Sequence, residues 1–389
     1  MKRILSLFLA VCLIAACAAV FSGCGGSKDD NFPVTVGGAE ITAEPQRVVV
    51  LNDAFADIIL YIGYDIKLAG RSYECDQQML NILPSVGTGT DPAIDTLLNL
   101  NPDLVIADES LSTKSRNKLD EGGVTVVTLT PANTQEEIRQ LYIDLGTALG
   151  GKTDGSKKGE DAYNKLFKLL NEYSTTTKNI VVTDAYLYLD DQGSYCTFVK
   201  DSVQAKIFGY NGAINVFANK TSPQFRATET TDENGNVTAA DEMYIRYASP
   251  TYLFLDGTVA KDGTIQSAVY DKLVADPNLN VLSALNEGRV TFIPLKNFYR
   301  PGVTFEETLF TMIDALNKDE ETAEEASLNP TETATEAPTA AATKPAEEPT
   351  EAEEETDEEE EAVEDAGVSD DGAVSDGVYY DENGNVVYY

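Results

Sequence analysis

The sequence contains no histidine and no tryptophan. Without histidine the chain lacks the usual general base near neutral pH, the usual zinc ligand and any imidazole ligand for haem. Cysteine is scarce as well: Cys12, Cys17 and Cys24 fall in the first 24 residues, leaving Cys75 and Cys196 far apart. Two such cysteines make no disulfide framework and read as unpaired thiols. Basic residues number 28 against 65 acidic ones, for a net charge of −37, and they form no cluster. A nucleic-acid partner needs a basic face to neutralise phosphates, so this class is excluded. The acidity is uneven, because residues 319–389 hold 25 carboxylates and one lysine.

What the chain does have begins with a targeting segment. Lys2-Arg3 precedes an apolar run from Ile4 to Phe21, too short and wrongly flanked for a stable spanning helix, which reads as a secretory leader. It ends at Phe21-Ser22-Gly23-Cys24-Gly25-Gly26, similar to a bacterial lipobox with Cys24 as the lipidated residue; Ile14-Ala15-Ala16-Cys17 is a rival match. The expected location is therefore the extracytoplasmic face of the cell membrane, held by a lipid anchor after cleavage before Cys24.

The stretch 86–108, VGTGTDPAIDTLLNLNPDLVIAD, organises the first half. Leu104–Ala107 is a short apolar run that predicts a strand buried on both faces of a parallel sheet. Ile94, Leu97, Leu98 and Leu100 recur at helical spacing, with Asp91 placed to cap and Pro92 at the first position. Gly37-Gly38 predicts a hairpin turn in Val34–Ile41. Strands are expected at 47–51, 68–71 and 124–129, with helices after Asn52-Asp53 and from Thr134 to Leu149. This alternation is the pattern of a parallel sheet with crossover helices.

An amphipathic helix over Glu160–Tyr173 reads as a spacer, because a second alternating series follows it. Strands are expected at Ile180–Val182, Ala185–Leu189, Asn215–Phe217, Tyr252–Leu255 and Arg289–Ile293, with helices over Ser202–Tyr210, near Ile265–Val274 and over Phe305–Leu316. The predicted fold class is α/β, two Rossmann-like lobes with central parallel sheets joined by a single long helix, the ligand cleft lying between them. The expected segments are a leader (1–23), a lipidated tether and hairpin (24–45), an N-terminal lobe (46–150), an interlobe helix (151–178), a C-terminal lobe (179–318) and an acidic tail (319–389). The tail is too poor in apolar residues to offset chain entropy and reads as disordered. Asp232–Val237 and Asp381–Val386 share the hexapeptide Asp-Glu-Asn-Gly-Asn-Val, whose Asn-Gly predicts a turn in each copy.

Six stretches, in order, carry a family resemblance: Pro45–Leu51, Gly87–Asp95, Asn101–Ile106, Gly212–Val216, Asn286–Pro294 and Pro301-Gly302. On these the chain resembles the ferric-siderophore and cobalamin substrate-binding lipoproteins of ABC importers, over roughly residues 34–316. The resemblance implies a non-enzymatic monomer that takes a metal chelate or corrinoid between its lobes and passes it to permease transmembrane subunits. No cofactor is implied; iron or cobalt would arrive within the ligand. It also implies one permease-docking carboxylate per lobe, at Asp95, where the family more often has Glu, and at Glu242, one residue out of register.

Loops leaving the strands supply the candidate ligand contacts: Asn52, Arg71, Tyr73 and Asp108 in the first lobe, Tyr186, Tyr188, Arg226, Tyr299 and Arg300 in the second. Large aromatic bodies suit a bulky organic ligand. The three guanidiniums suit the carboxylates or phosphates of an anionic chelate, because each offers two parallel donors; an interlobe ion pair is the alternative for each. Two other functions stay open at this level, a chelatase-like α/β enzyme and a surface interaction protein that works through its acidic tail.

Overall fold

The computed structural model describes residues 31–176, 182–225, 230–231, 237–238, 241–328, 379–380 and 386–387. The leader, Cys24, Arg226 and most of the acidic tail lie outside these residues. Gly37 and Gly38, at φ of 53° and 75°, turn the antiparallel pair β1 (Val34–Val36) and β2 (Ala39–Ile41); paired positive φ values match the twist of a two-residue hairpin. Three consecutive valines form the wholly buried β3 (Val48–Val50). Asn52 then caps α1 (Asp53–Ile62), and Gly63 stops it at φ 78°.

The first lobe continues through β4 (Leu68–Arg71), α2 (Ile94–Asn99), β5 (Leu104–Ala107), α3 (Thr113–Glu121), β6 (Thr125–Thr128) and α4 (Gln135–Gly150). Thr134 and Glu137 cap α4 reciprocally. Two of the family stretches lock each other here. The carboxylate of Asp103 accepts the backbone N–H groups of Gln46 and Arg47, and the Arg47 guanidinium donates to the Leu100 carbonyl at 2.6 and 2.9 Å. The entry to β3 is thereby pinned beside the entry to β5.

A π-turn at Gly151–Gly155 leads into α5 (Ser156–Thr176), 21 residues, about 32 Å at ~1.5 Å per residue. The second lobe follows: β7 (Thr183–Leu189), β8 (Tyr195–Cys196), α6 (Val203–Gly209), β9 (Ile214–Asn215), β10 (Thr230–Thr231), β11 (Val237–Thr238), α7 (Asp241–Ala248), β12 (Tyr252–Leu255), β13 (Thr258–Val259), β14 (Ile265–Gln266), α8 (Ala268–Ala275), α9 (Ser283–Asn286), β15 (Val290–Phe292) and α10 (Val303–Leu328).

The first sheet runs β4-β3-β5-β6, all parallel. In the second, β9, β7, β12 and β15 are parallel neighbours in that order, and β8 adds antiparallel to the end of β7. Numbered within its own lobe, each parallel run reads 2-1-3-4. One apolar cluster joins an inner face of both sheets, from Val48 and Ile106 to Tyr186 and Phe254, through α1, α4, α5 and α10. The outer faces have clusters of their own, around Val105 and Leu119 in the first lobe and around Leu253 and Leu273 in the second.

Several expectations shift. Asp91 does not cap α2: the helix starts at Ile94 with Ala93 before it, and the Asp91 carboxylate accepts from Ser115 Oγ at 2.7 Å and Ser112 Oγ at 3.4 Å, at the start of α3. Of the strands expected at Ile180–Val182 and Ala185–Leu189, the second lies within β7, while residues 180 and 181 of the first lie outside those described and Val182 precedes β7. Ile265 belongs to a short hairpin with β13, and the helix begins after Ser267, which caps it. α10 continues to Leu328, past the expected start of the tail, over Glu- and Ala-rich sequence that favours helix. β10 pairs with β11, and β16 (Tyr379–Tyr380) pairs with β17 (Val386–Val387), so an antiparallel pair flanks each copy of the repeated hexapeptide; the turns themselves lie outside the described residues. Cys75 and Cys196 are free and buried.

Candidate functional site: the seam between the lobes

In an open parallel sheet, ligands gather beyond the carboxyl ends of the strands, where the strand order reverses. In the first lobe that point lies between β3 and β5, and both loops leaving it carry expected contacts. Asn52 Nδ2 donates to Asp108 Oδ2 at 2.6 Å, while Asn52 Oδ1 accepts from Phe55 N and Asp108 Oδ1 accepts from Ser110 N. The structure therefore brings Asn52 and Asp108 together across the switch point. Glu109 accepts from the Thr130 hydroxyl at 2.6 Å, drawing the loop after β6 alongside.

The loop after β4 is held from inside. The Arg71 guanidinium donates to the carbonyls of Leu80 (2.9 Å) and Ser72 (3.1 Å) and, at 3.5 Å, to Asn81 Oδ1. Arg71 thus shapes the loop, using the donors expected to meet a ligand. The loop in turn presents Tyr73, 58 % exposed, and Glu74, whose carboxylate accepts from Gly89 N.

Arg300 departs furthest from expectation. It is 4 % exposed, donates through Nε to Asp53 Oδ2 at 2.9 Å, and reaches the Glu74 carbonyl at 2.9 Å and Asp76 Oδ1 at 2.7 Å through Nη2. Lys296 pairs with Asp76 from the same segment. Burial opposes ionisation of Asp76, but Lys296 and Arg300 hold its carboxyl below the usual range. A guanidinium with its fork on two protein carboxylates is an interlobe clamp, and it is not presented to a ligand.

Four further bonds surround the clamp. Asp57, in α1, accepts from Thr304 Oγ1 at 2.5 Å, Thr304 N at 3.2 Å and Gln77 Nε2 at 3.4 Å, and Tyr142 donates to the Pro301 carbonyl at 2.7 Å. A Cβ on Gly302 would overlap the Asp57 backbone, so Pro301-Gly302 is a close-approach motif. Asp57, Asp76, Lys296 and Thr304 escaped the sequence reading; the only signal was their closeness to motif residues.

On the second lobe, Tyr186 is also displaced from its expected role. Its ring is fully buried and stacks on Phe198 at 4.7 Å and 6°, and its hydroxyl donates to the Ile293 carbonyl at 2.9 Å. It is core. Tyr188 is half-buried, 6.3 Å from Tyr186, and burial with nearby charge pushes its phenol up to about 12. Tyr299 is 52 % exposed, and burial of its remaining part raises its phenol too. Asp256, leaving β12, accepts from Leu295 N at 2.7 Å.

Asp95 is exposed on the first turn of α2, in a depression shared with Asp91, Lys114 and Lys118. Glu242 falls in α7 with its side chain outside the described residues, as is Arg226 altogether. No helix among the described residues is long and apolar enough to cross a membrane.

With the fold and seam in view, residues 48–296 match the family described as periplasmic binding protein. The chain belongs to the periplasmic binding protein family. Among its relatives is a putative ABC transporter substrate-binding lipoprotein of Bacillus subtilis, YhfQ, 25 % identical over 56 % of this chain and 70 % of that protein. The Fe(3+)-citrate-binding protein YfmC of the same organism is 26 % identical over 40 % of this chain and 53 % of its own. A possible iron-binding, periplasmic solute-binding protein of Staphylococcus epidermidis shares the fold, with a TM-score of 0.52 and 16 % identity over 70 % of this chain and 99 % of the other.

Proposed function

We propose that this chain is the substrate-binding lipoprotein of an ABC importer, capturing an iron-siderophore or corrinoid between its lobes and handing it unaltered to the permease. The observation that carries the reading is the repeated 2-1-3-4 strand order, with Arg300 and Lys296 of the second lobe reaching the loops of the first. Two binding edges thus meet at one seam, lined by the Asn52–Asp108 pair, Tyr73 and Tyr299. The names of the Bacillus relatives and the lipobox-like segment ending at Cys24 support an anchored, extracytoplasmic carrier. A family of binding proteins also supports a role without catalysis.

In this reading α5 is the rigid spacer and Cys24 the lipid attachment. Asp95 and Glu242 are the carboxylates that meet permease cations, because exposed charges a lobe apart give orientation-specific steering. Of the expected ligand contacts we retain Asn52, Tyr73, Asp108, Tyr188, Arg226 and Tyr299, and reassign Arg71 to loop shaping, Tyr186 to the core and Arg300 to the clamp. A thermal-shift panel of ferric hydroxamates, ferric catecholates, haem and cobalamin tests the reading. One class should raise Tm in proportion to the logarithm of its concentration over Kd. No shift across the panel, or consumption of a ligand, contradicts it.

A further inference from the structure

The charge of the seam points to the class of cargo, and the step rests on the carrier reading above. Five described cations stand at or beyond the carboxyl ends of the parallel strands: Arg71 ends β4, Lys220 follows β9 and lies 4.7 Å from the centre of the Phe225 ring, Lys261 is exposed in the β13–β14 turn beyond β12, and Lys296 and Arg300 follow β15. Arg300 and Lys296 are neutralised by Asp53 and Asp76. Arg71 has its donors on two backbone carbonyls and an amide.

The carboxylates are placed differently. Among the described residues, Glu74 accepts from the Gly89 backbone, Asp108 from Asn52 and Ser110, Glu109 from Thr130 and Asp256 from Leu295. All of these donors are neutral. They orient these carboxylates without neutralising them, so among the described residues of the two loop sets the carboxylates, with Asp91, Asp190, Asp191 and Asp262, outnumber the cations. Such a cleft concentrates field of one sign and discriminates ligands by charge as well as by shape. The aromatic contribution, from Tyr73 and Tyr299, is indifferent to a negative charge or favours a positive one, because a ring face attracts cations.

We propose that the seam selects its cargo by charge, taking metal chelates or corrinoids whose loaded form is neutral or net positive and rejecting anionic ones. This reverses the expectation, drawn from Arg71, Arg226 and Arg300, of an anionic chelate. It also separates the chain from a ferric-citrate carrier, despite its likeness to one over part of its length.

The test uses the purified full chain and a set of ferric linear trihydroxamates that share one core. One form carries a terminal ammonium (+1), one is acetylated (neutral) and one is succinylated (−1). Ferric catecholate, haem and cobalamin are titrated beside them by quenching of tyrosine fluorescence. The +1 form should bind at least tenfold more tightly than the −1 form, with the neutral form between. The gap should narrow with added salt and in Glu109→Gln. If the neutral corrinoid is the better ligand, hydrolysing one of its side-chain amides to a carboxylate should weaken it at least tenfold.

Equal or tighter binding of the −1 form, or an anionic catecholate or haem as the best ligand, overturns the proposal while leaving the carrier reading intact. An anion preference that disappears in Arg226→Gln overturns it too and assigns selection to Arg226. If nothing in the panel binds a chain whose circular dichroism is that of the folded protein, the carrier reading itself fails, and the proposal with it.

Discussion

Asp184 is wholly buried in β7 with one carboxyl oxygen 2.6 Å from Asn211 Nδ2 and, among the described residues, no donor at the other. Burial pushes it from an ordinary 3.8 up to about 7, and Asp57 likewise, against the pull of Thr304. Between pH 4 and 7 the folded chain therefore holds protons that the unfolded chain has lost, so these two groups make stability fall as pH rises through that window. In Asp184→Asn the amide oxygen keeps the Asn211 bond and nothing ionises. Urea denaturation should find this variant level with wild type at pH 4 and more stable by about 4 kcal/mol at pH 8. Arg300→Ala should lower stability by about 2 kcal/mol, because Asp53 and Asp76 keep their charges and lose the fork; Arg300→Lys should recover only part, as one ammonium does not span both partners. The residue types of the seam were legible in the sequence, since Asn52 and Asp108 stand where buried strands break off. Partners were not: no local pattern says that Arg300 meets Asp53, 247 residues earlier.

At the scale of elements, α4 and α5 pack almost backbone to backbone. A Cβ on Gly146 would strike the Gly155 carbonyl, and one on Gly159 the Tyr142 carbonyl. Glycine to alanine inside a helix ordinarily gains about 0.5–1 kcal/mol. Gly159→Ala should instead lower Tm, whereas Gly209→Ala in α6, with nothing within 4 Å of the new Cβ, should hold or raise it. A Gly159→Ala chain as stable as wild type would place the two helices further apart than described. The sequence shows the elements well where a run is apolar on both faces, as in β5 and β12, or bounded by caps, as in α1 and α4. It misplaces them where side chains choose tertiary partners over local ones, as Asp91 does in binding Ser115, and where a hairpin such as β13–β14 interrupts an apolar stretch.

The whole molecule divides into one unit over residues 1–330 and a second over 331–389. Among the described residues, the members of the three apolar clusters lie between Phe32 and Leu316, so a chain ended after Pro330 should unfold with the same midpoint and bind with the same affinity as the full chain. A lower midpoint would mean that the tail contributes to the folded unit. Two lobes with a helical spacer were readable from the alternation of strands and helices; the single core that runs through both was not, because it is built by α10 returning to α1. That shared core and the Arg300 clamp set two binding edges against each other, and the central claim is that they hold a cargo without changing it. Equilibrium titration with the best ligand of the panel, followed by denaturation and mass spectrometry of what is released, tests this most directly. The account predicts one ligand per chain, recovered intact with its metal. No saturable binding, or a released molecule altered in covalent structure, would contradict it.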